Sequence, residues 1–231
     1  MGWKKAILAL LIPVCCQVCS KEWEYFCHKH KKLLSVLPTL CPFCTAFTPY
    51  GNVCTEHEMM PLDGCLVGFY YTRIVQDCIH KIKYGHSYHI LTSFAKYLAL
   101  LLYCHPILQS ETQKKNILIT YVPMHHRKQK RIRWYNQAEK LARYLADELG
   151  VQALPLLQKV EHTISQSRKK AQWRNTIKNP FLALPGNVDQ TYILLIDDVL
   201  TTGATLRNCA YVLKEAHPDK KIWGVCVARN K

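Results

Sequence analysis

The chain has 231 residues, enough for one substantial core plus a small module, and 49% of them are hydrophobic, which excludes a disordered chain. Lysine and arginine number 31 against 16 aspartates and glutamates, a formal net charge of +15; the favoured partners are anionic, whether nucleic acid, a phosphorylated small molecule or a membrane surface. No apolar stretch reaches the roughly 18 residues of a spanning helix, so no transmembrane segment is expected.

In chain order, Lys4 and Lys5 precede a short apolar run from Ala6 to Ile12, and Cys15 follows. The pattern imitates an export signal. The run is short, and the metal-type spacing and nucleotide-type site downstream point to the cytoplasm. The segment is therefore read as a short amphipathic or buried helix.

Most of the 12 cysteines lie in the first 65 residues, in closely spaced pairs. Four pairs share an x₂ interval: Cys16 with Cys19, Cys27 with His30, Cys41 with Cys44, and Cys54 with His57. That interval puts two ligands on one tight knuckle, which is metal spacing rather than disulfide spacing. Eight such ligands suit two closed tetrahedral zinc sites, and one zinc with degenerate remaining pairs is the alternative. A closed site has no open coordination position, so its role is structural. Spacing does not say which pair shares which zinc. Cys15, His28 and Cys65 break the spacing and are read as bystanders.

Residues 59–64 read as a linker, dividing a zinc-binding domain over 1–62 from a larger domain over 63–231. In the larger domain 66–71 suggests a strand. Residues 72–83 suggest a helix, with Val75, Cys78, Ile79 and Ile82 at helical spacing and Gly85 as its stop. A second helix over 91–104 is apolar nearly all round and hence buried. Residues 117–122 form a buried strand, followed by a cluster without helical period that contains Arg127, Lys128, Lys130, Arg131 and Arg133. A helix over 138–149 ends at Gly150, and 151–157 holds a short strand. Residues 161–180 are a polar, basic excursion. Strands over 192–196 and 222–228 flank a helix over 204–216. Strands alternating with helices give an α/β fold with a mostly parallel sheet.

The stretch 192–205 carries the most chemistry. An uninterrupted apolar run ends in Asp197 and Asp198, and a Thr/Gly turn, Thr201-Thr202-Gly203-Ala204-Thr205, opens the next helix. In parallel sheets ligands sit beyond the carboxyl ends of the strands. Carboxylates there accept from ribose hydroxyls or hold Mg²⁺, and a helix N-terminus with hydroxyls receives a phosphate. The stretch resembles the phosphoribosyl pyrophosphate (PRPP) motif of type I phosphoribosyltransferases, with every fixed position filled.

Taken with the zinc pairs, the chain resembles the ComF family, which has a phosphoribosyltransferase-like domain behind an N-terminal double zinc ribbon. Ile82-Lys83-Tyr84-Gly85, Val122-Pro123-Met124-His125 with Tyr135-Asn136-Gln137, and Gln166 with Arg174, Asn175 and Phe181 are similar to further family segments. Trp134 stands where the family usually has glycine, His30 and His57 where it usually has cysteine, and the interval from Gln166 to Asn175 is about two residues short. The resemblance implies cytoplasmic work in DNA uptake, at the inner face of the membrane, on single-stranded DNA and with helicase and processing partners. The basic cluster would track a nucleic acid backbone or cover pyrophosphate, and Trp134, Tyr135 and Trp173 are stacking candidates set against a core role. Two readings stand. One is a transferase in base or nucleotide salvage that uses PRPP and Mg²⁺, with Asp197 and Asp198 as the catalytic pair. The other is a nucleic-acid-binding competence factor that keeps the site for a phosphorylated ligand.

Overall fold

The computed structural model describes residues 16, 39–44, 46–85, 88–108, 111–124, 135–160 and 179–230. After the Cys/His segment come β1 (Gly64–Tyr70), α1 (Arg73–Gly85) and α2 (Tyr88–Tyr103). A short α3 (Glu111–Lys115), not anticipated from sequence, leads into β2 (Ile117–Tyr121). Then come α4 (Gln137–Leu149), β3 (Gln152–Ala153), β4 (Leu157–Lys159) and β5 (Phe181–Ala183). The chain closes with β6 (Tyr192–Leu200), α5 (Ala204–Ala216) and β7 (Lys221–Arg229).

Five strands form one sheet in the order β1-β7-β6-β2-β3, and every neighbouring pair is parallel. This is the expected α/β architecture. It follows from the β-branched and leucine runs, which are apolar on both faces and need helices on both sides. Ile193 and Leu195 point into one layer, with Leu206, Cys209, Ala210 and Leu213 of α5. Leu194 and Ile196 point into the other, with α1, α2 and α4. All four β6 side chains are fully buried, each contributing about 1.5–3 kcal/mol of hydrophobic stabilisation.

Helix ends follow the sequence signals. Gly150 closes α4 in the left-handed region (φ 68°). Asn136 caps the start of α4, its side chain accepting from the Ala138 amide at 3.1 Å and donating to the Val122 carbonyl at 2.9 Å. One asparagine thus ties the helix start to the end of β2.

The span 151–157 divides. Gln152–Ala153 joins the main sheet, whereas Leu157 begins β4, which pairs antiparallel with β5 in a separate two-stranded sheet. Of the basic excursion between them at 161–180, residues 161–178 lie outside the described residues. The expected linker at 59–64 is packed rather than free: Leu62 is fully buried against the α5 layer. Asp63 receives the Ile222 amide on Oδ2 at 2.7 Å and donates its own amide to the Ile222 carbonyl at 2.8 Å. The 39–57 segment is a compact ribbon. Leu40 bridges Phe47, the Cys41 amide donates to the Ala46 carbonyl at 2.9 Å, and Asn52 bridges Gly64 at the start of β1.

Candidate functional site

The strand order reverses between β2 and β6. The chain leaves β6 through α5 toward β7, and leaves β2 through α4 toward β3 on the opposite side. The chain therefore leaves β2 and β6 on opposite sides, a switch point of the kind at which open α/β sheets bind ligands. Asp197, Asp198 and the 201–205 turn lie at the end of β6. The residues of the basic cluster, Arg127, Lys128, Lys130, Arg131 and Arg133, lie outside the described residues.

Strand alternation sends the two carboxylates to opposite faces. Asp197 pairs in register with Cys226 of β7, above a layer holding buried Cys65, Cys209 and Cys226. Asp198 turns to the other face and meets Lys83 of α1 at 2.7 Å, Oδ2 to Nζ. Asp197 Oδ1 accepts the Asp198 amide at 2.9 Å. Burial, then the adjacent Asp198 carboxylate, push the Asp197 carboxyl up to about 8, against the pull of Lys83. A carboxyl poised there ionises when a cation or a hydrogen-bonding diol arrives.

Beyond the aspartates, Thr201, Thr202 and Thr205 are exposed and Gly203 is buried. Gly203 sits in the left-handed region (φ 75°) as the N-cap of α5, with no side chain to cap the helix. The Ala204 amide reaches the Thr202 hydroxyl at 3.4 Å, a long bond that leaves the first turn of a 13-residue helix available to an anion. The carboxyl end of β6 thus brings two carboxylates, a lysine and a hydroxyl-bearing helix start to one edge of the sheet.

Further residues belong to this edge. Lys83 entered the sequence reading only within a family segment, yet it falls four residues after Ile79 on the apolar stripe of α1. A cation in a buried stripe is a signal for a carboxylate partner. Tyr135 is buried, its hydroxyl donating to the Ile82 carbonyl beside Lys83 and its ring 4.5 Å from the Lys140 ammonium. It is therefore a core residue and not a stacking platform; Trp134 and Trp173 lie outside the described residues. Gln137, the first residue of α4, is buried, and its Nε2 has no partner among the described residues. An orphaned donor of this kind is costly unless a ligand or further chain satisfies it.

The ribbon brings together Cys41, Cys44, Cys54 and His57, whose donor atoms all lie within 4.8 Å of one another. This settles their pairing: the third and fourth x₂ pairs share one cluster. Cys44 and Cys54 Sγ are 3.7 Å apart, as are Cys41 Sγ and His57 Nδ1; Cys54 Sγ and His57 Nδ1 are 3.1 Å apart. Two thiolates on one tetrahedral zinc, each at about 2.3 Å, are separated by about 3.8 Å, so the donor set fits a zinc ion. Burial raises the Cys41 thiol, but amide hydrogen bonds at Cys54, Phe43 and Cys44 outweigh it and bring it down to about 7, ready to ligate as thiolate. Of the first two pairs, Cys16 is buried near enough to Cys78 of α1 to act on its thiol, and Cys19, Cys27 and His30 lie outside the described residues.

The cluster is fastened to the sheet by Arg229, the last residue of β7. Its guanidinium is buried and donates to the Cys41 carbonyl at 2.8 Å and the Cys44 carbonyl at 2.6 Å. Zinc with three thiolates and one neutral imidazole carries net negative charge, which a fixed guanidinium beside it offsets. Among the described residues, no helix is long and apolar enough to cross a membrane.

No family model matches the chain. It is similar to Competence protein F of Haemophilus influenzae, 28% identical over 183 residues, which cover 77% of this chain and 78% of that protein. It is also similar to Competence protein ComFC of Streptococcus pneumoniae, 27% identical over 180 residues, or 76% and 74% of the two chains. The α/β sheet, the Cys/His ribbon and these two relatives agree with the motif resemblance to the ComF family.

Proposed function

We propose that the sheet edge at the carboxyl end of β6 binds a ribose phosphate, PRPP or a close relative, and that the protein works on incoming single-stranded DNA during competence. One observation carries the ligand reading: paired carboxylates, one of them held by Lys83, open directly into a hydroxyl-rich helix start. A sugar diol and a 5′-phosphate on one molecule need those two halves at once. Asp198, paired with Lys83, accepts from the ribose hydroxyls. Asp197 gives up its proton as the ligand seats. Thr201, Thr202 and Thr205, with the amides of the first turn of α5, hold the phosphate. Oxygen donors at the aspartates suit Mg²⁺, which when bound neutralises charge on a pyrophosphate group.

The DNA role is supported by the names of the two relatives and by the +15 net charge. The helicase and processing partners and a place at the inner membrane face belong to this reading.

The test is a titration of PRPP with Mg²⁺ into the full chain, followed by incubation with a panel of bases. The account expects PRPP binding. Pyrophosphate release with one base would assign a transfer reaction, in which the C1′–oxygen bond to pyrophosphate breaks, a C1′–nitrogen bond forms and the base loses its N–H proton. Binding without release would assign a ligand-binding site on a DNA-handling protein, the reading favoured here. Absence of PRPP binding would overturn both. For DNA, a labelled single strand should bind in a polarisation titration and weaken steeply with salt as phosphate counterions are displaced; salt-independent or absent binding would remove the DNA role.

A further inference from the structure

We propose that the zinc knuckle is the floor of the phosphate loop, with Phe43 and Arg229 as positioning residues for the anion site. The proposal rests on the ribose-phosphate reading for its consequence, though not for its geometry. Gly203 is buried between exposed Thr202 and half-buried Ala204, and the ribbon is what covers it. A Cβ at Gly203 would lie 3.2 Å from Phe43 Cδ1 and 3.3 Å from the Pro42 carbonyl oxygen. Pro42 and Phe43 are the two residues between the knuckle ligands Cys41 and Cys44. Whatever fixes those ligands also fixes the surface on which the loop rests.

The contact is locked from both sides. Leu200, the last strand residue before the loop, pairs in register with Arg229, and its carbonyl accepts the Asn230 amide at 2.9 Å. Arg229 in turn forks to the carbonyls at the two ends of the knuckle. The phosphate loop, the end of β7 and the metal knuckle therefore form one continuous packed unit. The loop has no side-chain cap of its own at Gly203, so its left-handed turn depends on this outside support. Phosphate affinity depends on amides aimed to within a fraction of an ångström, and a group that holds them acts without touching the ligand.

The experiment compares the parent chain with Phe43→Ala and Phe43→Leu. Three quantities are read: zinc content, affinity for ribose 5-phosphate, and amide hydrogen exchange over 201–205. Phe43→Ala should keep its zinc, bind ribose 5-phosphate about tenfold more weakly and exchange faster over 201–205, and Phe43→Leu should recover most of both losses. In the parent chain, stripping zinc with a chelator should speed exchange over 201–205 before it speeds β6, an arm that needs no variant. Unchanged exchange in both the alanine variant and the stripped chain would overturn the proposal. If the parent does not bind ribose 5-phosphate, the ribose-phosphate reading fails while the exchange data still decide whether the knuckle holds the loop.

Discussion

Replacing Lys83 by methionine keeps the stem of the side chain on α1 and removes the cation 2.7 Å from Asp198. At that distance and an effective dielectric of about 20, the gross attraction is about 6 kcal/mol. Desolvation and side-chain ordering return most of it. Both side chains are about one quarter exposed, between the surface limit and the buried limit, so the net worth of the pair is about 1–2 kcal/mol. Lys83 also restrains the upward shift of Asp197, so the variant leaves that carboxyl still more protonated at neutral pH. Calorimetric titration of PRPP with Mg²⁺ should show roughly tenfold weaker binding near pH 7, with the gap closing toward about pH 9 as Asp197 ionises in both proteins. The melting temperature should fall by roughly 3–6 °C. Equal affinity in the two proteins at both pH values would refute the reasoning. Tighter binding by Lys83→Met would also refute it, by showing that Lys83 occupies the ligand's place rather than preparing it.

Two more outcomes follow from the same structure. Because folding raises Asp197 from 3.8 to about 8, the native chain keeps a proton that the unfolded chain gives up. The stabilisation this supplies is full below the unfolded value and is lost as pH rises through about 8. Asp197→Asn, which cannot ionise, should flatten the decline in denaturant midpoint across that window and remove the rise of ligand affinity with pH; a parent-like slope in both would reject the assignment. Cys44→Ser should lose one equivalent of zinc by elemental analysis and melt at lower temperature, because a small ribbon takes much of its folding energy from its metal. An unchanged zinc content would disprove the cluster.

The sheet was readable because its strands are buried on both faces. The run Ile193 to Ile196 shows no alternation, which sets it apart from a half-exposed strand, and Gly150 announces the end of α4 by ordinary capping chemistry. The aspartates and the Thr/Gly turn were readable because their chemistry is contiguous in sequence. Lys83 and Arg229 reach the site from 115 and about 30 residues away from Asp198, and only tertiary contact unites them with it. The knuckle was legible as a metal ligand pair, but not as a support for Gly203, because Phe43 and Gly203 meet only once the ribbon folds back over the sheet edge. Zinc pairing was closed to the sequence for the same reason: four equal spacings fit several groupings until Cys41, Cys44, Cys54 and His57 are seen together. Tyr135 went the other way, since an aromatic beside basic residues reads alike whether it stacks a base or fills a core, and its burial decides for the core.

The central claim is that Asp198 and the 201–205 turn form a ribose-phosphate site in which Asp198 serves the ligand and takes no part in holding the ribbon's zinc. The most direct measurement is paired calorimetry of PRPP with Mg²⁺ on the parent chain and on Asp198→Ala, with zinc quantified in both. The account predicts binding by the parent, none by Asp198→Ala, and equal zinc in the two. Unchanged PRPP affinity in Asp198→Ala would contradict it.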